Sequence, residues 1–144
     1  MKNYPEFRNL FYHRIKKYNT VAGFVMRILY PSMSTLCINT IDVGLGLFIQ
    51  RGFSTIIVAQ KIGQNCWINQ QLTIGYSNDQ KCLILCDNVT VGAGAKVLGG
   101  ITIGENSIIG ANAVVIKNVP PNCTVVGVPA YIIKRNGFSN KELL

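Results

Sequence analysis

Aliphatic residues recur at every sixth position along most of the chain: Ile62, Ile68 and Ile74, then, after a five-residue offset, Leu85, Val91, Val97, Ile103, Ile109 and Val115. The position that follows is glycine at 63, 75, 92, 104 and 110. The fifth position of each hexad is mostly small or β-branched, as at Cys66, Val89, Ala95, Ile101, Ser107, Ala113 and Val119. In extended chain, side chains two apart share a face, so the fifth residue of one hexad and the first of the next both point inward. Glycine beside the strand end permits the left-handed or tight conformation of a sharp corner. The pattern therefore predicts a short strand, a corner and another short strand, repeated.

One such unit cannot bury its own apolar face, so turns of the chain must stack into a solenoid around a continuous aliphatic core. Three hexads make a triangular coil of 18 residues. Ile68, Val91 and Ile109 then fall in one vertical stack, and Ile74, Val97 and Val115 in another. The offset at Tyr76 to Lys81, which reads YSNDQK, is polar and must leave the coil as a loop.

Ahead of the regular hexads, residues 37–61 carry strand-like runs in weaker register, enough for one to two imperfect coils. Residues 5–17 place Phe7, Leu10, Phe11 and Ile15 at helical spacing, with a basic reverse side. The expected division is a short helical N-terminal segment over residues 1–36, a β-helix over 37–133 and a basic C-terminal tail over 134–144.

Composition narrows the class. In 144 residues, charged side chains make up 14% and apolar ones 49%, which excludes intrinsic disorder. No apolar run reaches the roughly 18 residues a membrane span needs, and the N-terminus lacks a secretory signal pattern. A soluble, cytoplasmic protein is the expectation. The five cysteines at 37, 66, 82, 86 and 123 are odd in number and irregularly spaced, and His13 is the single histidine. Neither a disulfide framework nor a metal site is expected. The net charge of +8 is concentrated at the ends, with seven basic and two acidic residues in 1–51 but four and three in 52–133. A nucleic-acid binder would carry a basic stripe across its folded surface, so nucleic acid is not an expected partner.

The run VTVGAGAKVLGGITIGENSIIGANAVVIKNVPPNCTVVGVPAYIIKR closely resembles the C-terminal portion of hexapeptide-repeat acyltransferases, above all serine O-acetyltransferases and the sugar O-acetyltransferases of polysaccharide loci. The resemblance extends over about residues 40–135. It implies a left-handed parallel β-helix, a homotrimer, and acetyl-CoA bound in grooves between subunits as acyl donor. It also implies an acceptor hydroxyl on serine or a surface sugar. Ala93 and Ala111 match small residues along which the pantetheine arm lies, and Gly75 matches a residue lining the thioester end. The basic residue expected directly after the P-A dipeptide is Tyr131 here, and Lys134 and Arg135 stand in as phosphate contacts.

The catalytic residues depart from the family pattern. The Asp-His pair of serine acetyltransferases falls on Gln50 and Arg51, and a second histidine falls near Cys82. Attack of a hydroxyl on a thioester needs a group that accepts its proton, and an arginine stays protonated. Asp79 in the loop, the Cys82 thiol and His13 are the alternatives, while Gln50 and Arg51 are left to bind an anionic acceptor or stabilise the tetrahedral oxyanion. A catalytically silent β-helix that binds acyl-CoA, or assembles with an active paralogue, is the competing expectation.

Overall fold

The computed structural model describes residues 4–15, 20–40, 42–75 and 83–144. Two helices, α1 (Pro5–Ile15) and α2 (Thr20–Leu29), precede the strands. The first coil is β1 (Leu36–Ile38), β2 (Asp42–Val43) and β3 (Phe48–Ile49), and the second is β4 (Thr55–Ile57), β5 (Lys61–Ile62) and β6 (Trp67–Ile68). The third is β7 (Thr73–Gly75), β8 (Ile84–Leu85) and β9 (Thr90–Val91), and the fourth is β10 (Lys96–Leu98), β11 (Thr102–Ile103) and β12 (Ile108–Ile109). β13 (Val114–Val115) and β14 (Cys123–Val126) open a fifth turn, and a hairpin of β15 (Tyr131–Arg135) and β16 (Phe138–Leu143) closes the chain.

Every third strand stacks on its predecessor, giving three parallel walls in the orders β1-β4-β7-β10-β13, β2-β5-β8-β11 and β3-β6-β9-β12-β14. This is a left-handed parallel β-helix. The expected vertical stacks are present: Ile68 pairs with Val91 and Val91 with Ile109, while Ile74 pairs with Val97 and Val97 with Val115. Across the offset, Ile62 still pairs with Leu85. The coil therefore keeps the same register on both sides of the offset; residues 76–82, and with them the loop assignment, lie outside the described residues.

The inward positions behave as the hexads require. Ile62, Ile68, Ile74, Leu85, Val91, Val97, Ile103, Ile109 and Val115 are fully buried, and the fifth-position residues from Cys66 to Val119 are buried beside them. Each large aliphatic so placed contributes roughly 1.5–3 kcal/mol of transfer free energy. The buried hydroxyls are bonded: Ser107 donates to the Pro120 carbonyl at 2.9 Å and accepts from the Cys123 amide at 3.3 Å.

The corners are built differently from the sequence expectation. Gly92, Gly104 and Gly110 do not have positive φ. Gly92 is required because a Cβ there would lie 2.6 Å from the Ala111 amide nitrogen of the next coil. Left-handed backbone falls two positions further on, at Asn65, Asn88, Asn106, Asn112 and Asn122 and at Gly46 and Gly94. Asparagine is among the residues that tolerate this region. At one edge three of these asparagines form a ladder, Asn88 Nδ2 donating to Asn106 Oδ1 and Asn106 Nδ2 to Asn122 Oδ1, each at 3.0 Å.

Two further departures lie at the ends. α1 buries Leu10 and Tyr12, whereas Phe7 is 55% exposed. Tyr12 is drawn inward because its hydroxyl meets the carbonyl of Tyr30, at 2.6 Å, at the C-terminal end of α2. The last eleven residues, expected as a basic tail, lie largely in the β15 and β16 hairpin, where Arg135 pairs with Glu142 at 3.1 Å. Among the described residues no helix is long and apolar enough to cross a membrane, and no group of three or more His, Cys, Asp and Glu side chains is placed to hold a metal.

Candidate functional site

The three edges of the prism sort the candidate residues. The edge between the β3 wall and the β4 wall carries, from the first coil upward, residues 50–53, then 69–71, then Ala93, then Ala111. Backbone bonds tie these levels together: Gln50 N to Ile68 O at 2.8 Å, Gln71 N to Phe53 O at 2.9 Å, Gly94 N to Gln70 O at 3.0 Å and Asn112 N to Ala93 O at 2.9 Å. Gln50, Arg51, Ala93 and Ala111 thus share one edge. At about 4.8 Å per coil, Arg51 lies roughly 10 Å below Ala93 and roughly 14 Å below Ala111.

Gly75 is elsewhere. It ends β7, opposite Leu98, at the edge that leads into residues 76–82. Lys134 and Arg135 lie near the third edge, because β15 runs antiparallel to β14 with Arg135 opposite Cys123 and Tyr131 opposite Val126. Val126 packs over Gly110, where a Cβ would meet its Cγ1 at 2.7 Å. The residue beside the Ala111 corner is therefore Tyr131, and the basic pair is about 10 Å further along the strand. Lys134 is exposed, and Arg135 is engaged with Glu142. Asp79 and Cys82 lie outside the described residues. His13 is half-buried on α1.

A cavity of about 610 Å³ opens at the foot of the first edge, between the start of α1 and β3. Its walls are residues 4–7 and Leu10 on one side and residues 47–51 on the other, mainly apolar, with Glu6, Gln50 and Arg51 as the strongly polar groups. Asn9 anchors α1 against the coil, donating to the carbonyls of Met33 and Leu36 at 2.8 and 2.9 Å and accepting from the Met33 amide at 2.8 Å. Arg14 adds a 2.7 Å bond to the Gly44 carbonyl. Gln50 is oriented by Trp67, whose indole N–H donates to its side-chain oxygen at 3.1 Å. The Trp67 ring in turn meets Phe48 edge-on at 5.4 Å. Arg51 is exposed, with φ of 52°. Among the described residues the only ion pair is that of Arg135, so the Arg51 guanidinium is free to meet an anion. An unpaired guanidinium over an apolar cavity can bind a carboxylate or a developing oxyanion.

Sequence reasoning missed the contribution of α1. Tyr4, Glu6 and Phe7 line the cavity, although Phe7 reads as part of a buried helix face. The available signal was the carboxylate in the first turn of a helix that must cap the open end of the coil.

Two thiols are displaced from their ordinary value of about 9. Burial pushes the Cys66 thiol up, helped by the neighbouring Asp87 and Cys86. Burial does the same to Cys86, with Glu105 and Asp87 adding to it. Both are thereby held as neutral, poorly nucleophilic groups.

Comparison with known proteins agrees with this architecture. Residues 84–117 match the family model described as bacterial transferase hexapeptide (six repeats). A serine acetyltransferase of Synechococcus elongatus is 39% identical over 93% of this chain and 59% of its own length. The crystal structure of Neisseria gonorrhoeae serine acetyltransferase in complex with serine superposes with a TM-score of 0.68 at 29% identity, over 88% of this chain and 54% of the other. That of the Brucella abortus enzyme in complex with coenzyme A gives 0.67 at 29%, over 94% and 55%. The chain spans about half the length of the curated relatives it matches. With the stacked hexads and the corner chemistry, these likenesses show a chain that carries the bacterial transferase hexapeptide repeat and is similar to the serine acetyltransferases.

Proposed function

We propose that the chain transfers an acetyl group from acetyl-CoA to a hydroxyl, with serine as the first acceptor. The observation that carries this reading is the common edge on which Ala111, Ala93, Gln50 and Arg51 stand one above another, with the cavity at its foot. A thin pantetheine arm running down past the two alanines would deliver its thioester toward Arg51. Gln50 and Arg51 then serve as acceptor-binding groups. The serine-bound and coenzyme A-bound relatives support both substrates.

The remaining candidates stand on other edges, which supports a homotrimer. Gly75, Lys134 and Arg135 would complete a site only if an edge of one subunit faced a different edge of the next. Ile56, Trp67, Ile108 and Ile116 are apolar and exposed on the lateral walls, as a surface covered by a neighbour would be.

A sugar hydroxyl is the second reading, favoured by one observation. The cavity of about 610 Å³, with Tyr4, Phe7 and Phe48 on its walls, is larger and more aromatic than free serine requires. Release of free thiol from acetyl-CoA in the presence of serine, then of a panel of sugars, tests both. Turnover with serine alone supports the first reading and turnover with sugars alone the second. No release with any acceptor refutes the transferase reading and leaves the silent acyl-CoA binder.

A further inference from the structure

We propose that Glu6, from the first turn of α1, is the base that accepts the acceptor's hydroxyl proton, in place of the histidine that position 51 lacks. The inference rests on the transferase reading above and adds to it a residue outside the β-helix.

Two observations bring Glu6 to the reacting end of the site. It lines the same cavity as Gln50 and Arg51. Its side chain also crosses the backbone just beyond Arg51, where a Cβ on Gly52 would lie 3.2 Å from Glu6 Cγ. Glycine at 52 leaves room for Leu36, whose Cδ2 would lie 2.7 Å from that Cβ, and for the Glu6 stem beside the edge that carries Arg51. Among the described residues Glu6 makes no hydrogen bond and no ion pair, so its oxygens are available to a hydroxyl. Among the described residues, the other titratable or charged groups lining the cavity are Tyr4 and Arg51. Arg51 is a permanent cation, and His13 is not part of the wall. Asn9 and Arg14 hold α1 to the coil, which keeps Glu6 in place.

The step balances with these groups. The acceptor oxygen forms a bond to the thioester carbonyl carbon as its proton passes to the Glu6 carboxylate. The carbonyl electron pair moves onto oxygen, where the Arg51 charge stabilises it. Collapse restores the C=O bond and breaks the C–S bond. The proton on Glu6 then goes to the departing thiolate, giving the acetyl ester and free CoA thiol.

The test measures acetyl-CoA turnover with the acceptor that the wild-type chain uses, in Glu6→Gln, Glu6→Asp and Glu6→Ala. Glu6→Gln is expected to lower kcat by about 10²- to 10⁴-fold, with the KM for acetyl-CoA and the CoA-induced rise in Tm retained. Glu6→Asp should keep part of the rate, and added formate should restore part of it to Glu6→Ala, which a purely structural role would not allow. The Tm shift identifies any variant that has failed to fold, and formate rescue of Glu6→Ala then decides on a chain whose side-chain volume is removed rather than replaced. Full kcat in Glu6→Gln, or no rescue in a folded Glu6→Ala, overturns the assignment while the transferase reading stands. A wild-type chain that releases no thiol with any acceptor overturns both.

Discussion

Asn106 offers a direct measure of what the corner ladder contributes. Its side chain accepts from Asn88 and donates to Asn122, both at 3.0 Å, and its backbone is left-handed at φ 56°. Replacement by alanine removes two exposed hydrogen bonds, about 0.5 kcal/mol each at the low end of the usual range. It also places a Cβ in the left-handed region without a compensating local bond, about 1 kcal/mol. The expected loss is about 2 kcal/mol. Asn106→Gly loses the same bonds but relieves the backbone, and pays instead through the extra freedom of the unfolded chain, for a loss of about 1 kcal/mol. Urea denaturation at one fixed protein concentration reads both, with an unchanged m value showing that the unfolding surface is the same. If alanine costs no more than glycine, the left-handed backbone is not what selects asparagine at this edge.

Three other outcomes are expected. Ala111→Tyr should abolish the CoA-induced Tm shift without lowering the Tm of the free protein, since the side chain projects from an exposed corner; an intact shift in differential scanning fluorimetry would move the pantetheine path off this edge. Arg51→His should fold, because histidine tolerates positive φ, yet lower kcat about tenfold or more by removing a permanent charge from the oxyanion; a rise in turnover would mean that position 51 is a vacated base slot and would count against Glu6. For Cys66 and Cys86, the folded thiols titrate above the unfolded ones, so their contribution to stability is complete below the ordinary thiol value of about 9 and is lost as pH rises through the raised folded values. Denaturation midpoints measured between pH 7 and pH 11 should therefore fall at the alkaline end, and Cys66→Ala together with Cys86→Ala should flatten that fall; an equal fall in the double variant would place its origin elsewhere.

What the sequence determined by itself was everything that repeats. Ile68, Val91 and Ile109 stack because a period of six, taken three times, returns the chain to the same wall, and their register survives the offset after Gly75 because the aliphatic position resumes on the same face. A solenoid is legible for this reason: each contact that defines it links a residue to its own equivalent one coil away, so a local pattern carries long-range information. The corners were legible only in part. Glycine was visible, but whether it answers a positive φ or the approach of the coil above depends on a neighbour 19 residues distant, as Gly92 beneath Ala111 shows. The site was least legible. Arg51 and Ala111 share an edge because of coil stacking, but Glu6 reaches that edge through the docking of α1, which Asn9 and Tyr12 secure by hydrogen bonds to carbonyls 18 to 27 residues away. Tertiary structure also drew Lys134 and Arg135 away from Ala111 by turning β15 back along β14. No periodicity connects these segments to the coils, so only the packing of non-repeating chain against the open end and the last wall could decide where they lie.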